Sequence, residues 1–304
     1  MSFASNDTIK ELENIIPEHI NNQSVPKDIL DIIDEYIPKL SNKNIHQIVK
    51  DYLSKDENLK QQVILNYGPI NNWDVSNVTD MNRLFYKKYN FNENISNWNV
   101  SNVINMNRMF QNALSFNQSL NNWNVSNVTS MYSMFERAKS FNQPLNNWDV
   151  SNVKDMKHMF EYASSFNQSL NDWNVSRITD MSQIFYGAYD FNQPLNNWDV
   201  SKVTTMQSMF AYTDNFNQPL NNWDVSNVKD MKHMFLRAVF NQPLSNWNVS
   251  NVVDVSYMFA NNQMFNQPLS NWNLPRHTIM LKIFDEAESF NQPLNPNWYI
   301  SDEL

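Results

Sequence analysis

Between Trp73 and Trp298 the apolar residues return in one pattern about every 25 positions. Ten Trp mark it, at 73, 98, 123, 148, 173, 198, 223, 247, 272 and 298, spaced by 25 six times and then by 24, 25 and 26. The short step traces to RAVF at Arg237–Phe240, which stands where Arg137–Phe141 reads RAKSF. The long one traces to LNPNW at Leu294–Trp298, where Leu195–Trp198 reads LNNW. A fixed period of this size marks stacked repeats. In the unit that starts at Trp123, the apolar positions are Val125, Val128, Met131, Met134, Phe135, Ala138, Phe141 and Leu145. Trp123 and Val125 alternate with polar Asn122 and Asn124, which predicts a short strand with one buried face. Val128 to Ala138 recur at threes and fours, which predicts a helical or 3-10 turn. Thr129 or Ser130 is its candidate cap, as Thr79 or Asp80 is in the first unit. FNQPL turns the chain back, with Pro144, Pro194, Pro219, Pro243, Pro268 and Pro293 placed where a missing N–H is tolerated.

A single unit has too few apolar side chains to offset the ordering of its backbone, so successive units must bury both faces of one another. The expected fold is therefore α/β: a leucine-rich-repeat-like solenoid over residues 70–304, with about nine repeats of one short parallel strand and one helical or 3-10 turn. The Asn of FNQ, at 92, 117, 142, 167, 192, 217, 241, 266 and 291, is expected to form an internal amide ladder. Residues 1–69 differ in composition. Helical spacing covers Asp7–Ile16, Val25–Ile37 and Asn44–Leu53, and Leu59–Gly68 leads into the first turn. A helical N-terminal cap is expected there, because the end of a repeat stack must be covered.

Charge narrows the partners. The 304 residues carry a formal net charge of -9, without a basic stripe, so nucleic acid is not expected. Only Gly68 and Gly187 are glycine, which leaves Asn to supply left-handed turns. No cysteine is present, so disulfides, thiolate metal sites and a lipidated cysteine are excluded. MSFASNDTIK has no signal-peptide pattern, and no apolar stretch approaches a bilayer span. Sequons such as those at Asn99, Asn124 and Asn174 would put colliding glycans on neighbouring turns. A cytoplasmic setting, or a virion for a viral chain, is expected, without membrane insertion. The closing SDEL is read as a chance tail.

Candidate chemistry is sparse. His19, His46, His158, His233 and His277 do not form a ligand set; His158 and His233 sit at equivalent positions three turns apart. No phosphate loop, nucleophile elbow or carboxylate pair is evident, so no enzyme, cofactor or metal is expected. The residue after each Trp should point outward: Asp74, Asn99, Asn124, Asp149, Asn174, Asp199 and Asp224, followed by Asn248 and Asn273. This regular polar stripe is the candidate binding surface. Asp199 and Asp224 are its one adjacent carboxylate pair, read as solvated rather than as a calcium site. A second candidate is the pair after the first Met of each unit, such as Lys157–His158 and Ser182–Gln183, which varies from unit to unit.

FNQPLNNWDVSNV, followed by spaced Met, MF and Ala, closely resembles the repeat of BspA-like leucine-rich-repeat surface proteins, found in mycoplasma lipoproteins, giant viruses and protists. Within LNNWDVSNV at Leu145–Val153, Leu145, Trp148 and Val150 match apolar positions of the leucine-rich pattern, and Val153 stands where that pattern has Asn. The resemblance implies a solenoid that binds or adheres rather than catalyses. VPKDILDIIDEYI, at Val25–Ile37, resembles the opening of an F-box. Three roles follow as expectations: a scaffold for protein binding or self-association, an adhesive or structural component of a surface or virion, and a ubiquitin-ligase adaptor.

Overall fold

In the array, backbone hydrogen bonds divide about equally between short turns and links from one repeat to the next, and the links decide the architecture. The structure, a computed structural model, describes residues 39–298. Positions are counted here from each Trp, so Val75 is position 2 of the first repeat. Positions 10 and 14 have positive φ in every repeat: Arg83 at 59° and Lys87 at 56° in the first, His158 at 58° and Tyr162 at 53° in the fourth. Gly187, at 64°, is the one glycine among them. An L-residue in this region costs ~1–2 kcal/mol. Each left-handed residue interrupts any helix and swings alternate N–H groups toward the following repeat. The N–H groups of Met81, Arg83, Phe85 and Lys87 donate to the carbonyls of Asn105, Asn107, Met109 and Gln111, each at 2.9 Å. Between them, Leu84, Tyr86 and Lys88 close β-turns on the carbonyls of Met81, Arg83 and Phe85.

The expected strand and helical turn in each repeat are both overturned by this ribbon. Among the described residues no repeat contains a helix, and parallel pairing in the array is confined to isolated bridges at position 7. They run from Asp80 through Asn105 and Ser130 to Asp155, and from Asp180 through Thr205, Asp230 and Asp254 to Ile279. Apolar residues at threes and fours occupy one side of overlapping turns as readily as one side of a helix, which is why the spacing misled. The helix would have consumed inside one repeat the N–H groups that here join two. Of the proposed caps, Asp80 closes a turn, its Oδ1 accepting from Asn82 N–H at 2.9 Å. Thr129 and Ser130 donate to Ile104 O and Asn107 Oδ1 of the preceding repeat, and Thr79 accepts from Asn42. At the predicted strand, burial does alternate, with Trp73 and Val75 inside and Asp74 outside. Turns bound this stretch on both sides, from Trp73 N–H to Ile70 O and from Val78 N–H to Val75 O, and leave it too short for a ladder.

Aromatic rings fill the interior. Phe85 stacks on Phe91 of its own repeat at 4.0 Å and on Phe110 of the next at 5.5 Å. The same double file continues to Phe284 and Phe290. Indoles form a third file, with Trp148 and Trp173 stacked 6.4 Å apart and 3° from parallel. Each interior indole N–H must find a partner. Trp173 Nε1 donates to Leu145 O at 3.1 Å, and Trp98, Trp123, Trp148, Trp198, Trp223, Trp247 and Trp272 repeat this bond to the residue three before the preceding Trp. Trp298, displaced by the extra residue of LNPNW, donates to Trp272 O instead.

The FNQ asparagines also form a file, on the surface rather than inside. Asn142 Oδ1 accepts the backbone N–H of Asn167 at 3.0 Å and Nε2 of Gln168 at 2.8 Å. Thus the partner amide comes from Gln and not from the next Asn. Nor does Asn supply most left-handed turns; only Asn112 and Asn261 do so, and the rest are mainly Arg, Lys, His, Ser and Tyr.

Before the array lie α1 (Ile45–Tyr52) and α2 (Glu57–Tyr67). Ile45, Val49 and Tyr52 are buried, as the spacing in Asn44–Leu53 predicts. Asp56 caps α2 by accepting from Asn58 N–H, and Gly68, at φ 71°, ends it. Tyr52 meets Trp73 edge-on at 5.3 Å. Burial and the hydrogen bond it donates to Glu93 push the Tyr52 phenol up to about 12. Asn42 Oδ1 accepts the N–H groups of Thr79 and Asp80 at 2.9 and 3.1 Å. In the second repeat, Ile104 and Asn105 donate to the carbonyl of Thr79 in the same way. One side-chain amide thus stands in for the carbonyl of a preceding repeat. The predicted helices at Asp7–Ile16 and Val25–Ile37, with the F-box-like motif, lie outside the described residues.

Removing an indole opens a cavity and deletes one step of the file. Trp173→Ala is expected to lower unfolding stability by about 3–5 kcal/mol in denaturant titration. A loss below about 1 kcal/mol would contradict an interior indole.

Candidate binding faces

The stripe after Trp is exposed in every repeat from Asp74 to Asp224. Its side chains fold back rather than reach out. Asp74, Asn99, Asn124, Asp149, Asn174, Asp199 and Asp224 each accept, through Oδ1, the N–H of the Ser two residues on, at 2.9–3.2 Å. These bonds make Asx-turns that carry the chain away from the buried Trp–Val stretch. Ser76, Ser151 and Ser201, through hydroxyl and N–H together, hold the carboxyls of Asp74, Asp149 and Asp199 below the usual range. Beside the stripe, Asn102 Nδ2 donates to Ser76 O, and Asn127, Asn152, Asn227 and Asn251 repeat the bond. The stripe is a turn-forming and stacking device first, with Asp199 Oδ1 engaged by both groups of Ser201. Among the described residues no group of three His, Asp or Glu is placed to hold a metal, and no helix is long and apolar enough to cross a membrane.

The opposite character belongs to the outer side of the ribbon, positions 9, 10, 13, 14 and 16. Inward positions 8, 11 and 12 stay Met, Leu, Ile, Val or Phe, while these outer ones vary along the array, with some pairs recurring, such as Asn–Arg in the first two repeats and Lys–His in the fourth and seventh. The variable pair after Met, including Lys157–His158 and Ser182–Gln183, forms part of it. The larger part was missed. Tyr162 and Tyr186 meet edge-on at 5.1 Å, and Tyr186 continues to Tyr212 at 5.2 Å. Arg137 lies over Tyr162 at 5.2 Å, and Arg237 over Tyr212 at 5.3 Å. The result is one surface file, Arg–Tyr–Tyr–Tyr–Arg, across five successive repeats. Burial and the contact with Tyr162 raise the Tyr186 phenol well above its ordinary range. A comparison of the repeats position by position would have exposed the signal, because Tyr and Arg gather at positions 10, 13 and 14.

Gly187 lies at the centre of that file. A Cβ there would stand 2.5 Å from Tyr162 Cδ1. Tyr162 therefore lies across backbone that any larger residue would lift. Nearby, His158 Nδ1 is 2.6 Å from Glu161 Oε2, and Tyr132 meets His158 edge-on. Arg108 lies over Tyr132 at 4.8 Å, and both Arg83 and Lys87 lie over Tyr86. Aromatic rings paired with arginine are the composition that carries most of the energy at protein interfaces.

One family model matches the chain, in three stretches at residues 57–173, 165–239 and 236–303, and its description is "Mycoplasma protein of unknown function, DUF285". No curated protein and no solved structure matches.

Two substitutions test these placements. Gly187→Ala combines a left-handed φ with the Tyr162 clash and is expected to cost at least about 1–2 kcal/mol in a denaturant melt. Asp230 is held above the ordinary carboxylate range by burial, with Asp254 adding to it while Lys232 and His233 oppose. A raised carboxylate disfavours the folded state where it is ionised. Asp230→Asn should therefore raise stability at pH 7, and the gain should vanish as pH falls below the carboxylate range. Asn105 already fills this position in the second repeat and makes the same turn, which makes the exchange sterically safe. A gain that persists in acid would point to a cause other than charge.

Proposed function

The chain belongs to the DUF285 family of Mycoplasma-type repeat proteins, and from that premise we propose a non-enzymatic scaffold that binds a protein through the variable side of its ribbon. One observation carries this reading. An otherwise monotonous frame varies on one face, and there it gathers the Arg137–Tyr162–Tyr186–Tyr212–Arg237 file. Ring-on-ring and cation-on-ring packing orders these side chains before binding, which reduces the entropy lost when a partner docks. Kinship with BspA-like surface proteins, suggested by FNQPLNNWDVSNV, favours binding or adhesion as well. The stripe fits the role less well, because its polar atoms already serve their own turns.

Variants built from residues that occur at the same positions elsewhere in the chain keep the frame. Asn fills position 14 at Asn112 and Asn261, and Ala fills position 13 at Ala211 and Ala260. Arg137→Asn, Tyr162→Asn and Tyr186→Ala together are expected to abolish capture of a partner that the native chain retains, with binding then repeated on the purified pair. Asp149→Asn with Asp199→Asn should leave it intact. Loss through the stripe variant alone would move the binding face to the stripe and defeat the proposal.

A further inference from the structure

Charge divides the ribbon face unevenly along the stack. Positions 9–16 of the first four repeats, residues 82–89, 107–114, 132–139 and 157–164, hold seven Lys and Arg against two Glu, although the chain as a whole is at -9. In the last repeat the same positions, 281–288, hold Asp285, Glu286 and Glu288 against Lys282. Among the described residues Arg83, Lys87, Lys88, Arg108 and Lys139 make no ion pair, whereas Lys157 meets Asp180 at 3.5 Å and Arg137 lies 3.9 Å from Glu136. Two open clefts accompany these cations. One, of about 470 Å³, is lined by Arg137, Lys139, Tyr162, Ser164 and Tyr189. The other, of about 370 Å³, gathers Lys55, Lys87, Lys88 and Tyr89 beside Phe91, with Glu93 as its one carboxylate.

Resting on the proposed function, we infer that this first half of the ribbon, from Arg83 to Ser164, docks an acidic segment of a partner protein. An arginine laid flat over a tyrosine spends its face on the ring and keeps its N–H edge for a carboxylate. Arg108 lies over Tyr132 with its guanidinium carbon 4.8 Å from the ring centre, and Arg137 lies over Tyr162 at 5.2 Å. The adjoining rings supply apolar area, and Ser164 supplies a hydroxyl in the wall of the larger cleft. Repulsion between an acidic segment and acidic parts of this chain, such as the last repeat, steers it toward the cations of the first four repeats. Single-stranded nucleic acid fits less well. It wants a continuous cationic track, and Glu136 and Glu161 interrupt this one.

The test uses the full chain against a displayed library of random peptides, with individual hits then measured in solution. The charge variant carries Arg108→Ser, Arg137→Asn and Lys139→Ser, each new residue already standing at its position in Ser133, Asn112 or Ser164. Peptides rich in Asp and Glu are expected, binding the charge variant about tenfold or more weakly and losing affinity as salt rises. Neutral or basic peptides that the charge variant keeps, but the Tyr162→Asn, Tyr186→Ala variant loses, would overturn acidic specificity while the binding face stands. If neither variant weakens any hit, or no peptide is enriched, both the inference and the face fall. A labelled oligothymidylate that binds the native chain and not the charge variant would also overturn it, in favour of nucleic acid.

Discussion

Everything in this protein rests on hydrogen bonds that leave one repeat and end in the next. Left-handed residues at positions 10 and 14 turn alternate N–H groups along the stack, and the intervening groups close β-turns. An isolated repeat has no acceptors for the outward set. The strain of two left-handed residues per repeat is therefore bearable only in the stack, where each outward N–H finds a carbonyl. Cooperation between neighbours is built into the backbone before any side chain is counted.

Side chains then reinforce the same register. Three aromatic files run beside the ribbon, and the indoles from Trp98 to Trp272 each reach back to the carbonyl of the residue three before the preceding Trp. Surface asparagines lock the other side, where the FNQ amide holds both a backbone N–H and a Gln side chain of the next repeat. Asn42 shows the same logic at the start of the array. It offers Thr79 and Asp80 the acceptor that a preceding repeat would have offered.

A frame fixed in this way leaves its outer ribbon positions free to differ. Their backbone is held from repeat to repeat, so side chains at positions 9, 10, 13, 14 and 16 can change without disturbing the core. Tyr162 shows how far this goes. It lies across Gly187, the one ribbon position without a Cβ to obstruct it. The stripe after Trp is regular for the opposite reason. Asp or Asn recurs there because each closes an Asx-turn, and a regular surface of that kind reports folding more than recognition.

The sequence by itself determined the period, the burial of Trp, Val, Met and Phe, the exposure of the residue after Trp, and the helix over Ile45–Tyr52. Those follow from which side chains water rejects, and composition and spacing carry that directly. Tertiary structure decided where the backbone N–H groups go. Turns and helices share the same threes-and-fours spacing, and the left-handed positions are filled mostly by residues other than Gly and Asn, with Gly187, Asn112 and Asn261 the exceptions, so their residue types rarely announce them. The Arg–Tyr file does not show within any one unit, since its members lie about 25 residues apart; aligned repeats reveal the residues, and only stacking brings them into contact. A pattern read within one unit shows which face is buried; bonds between units exist only once a neighbour is in place.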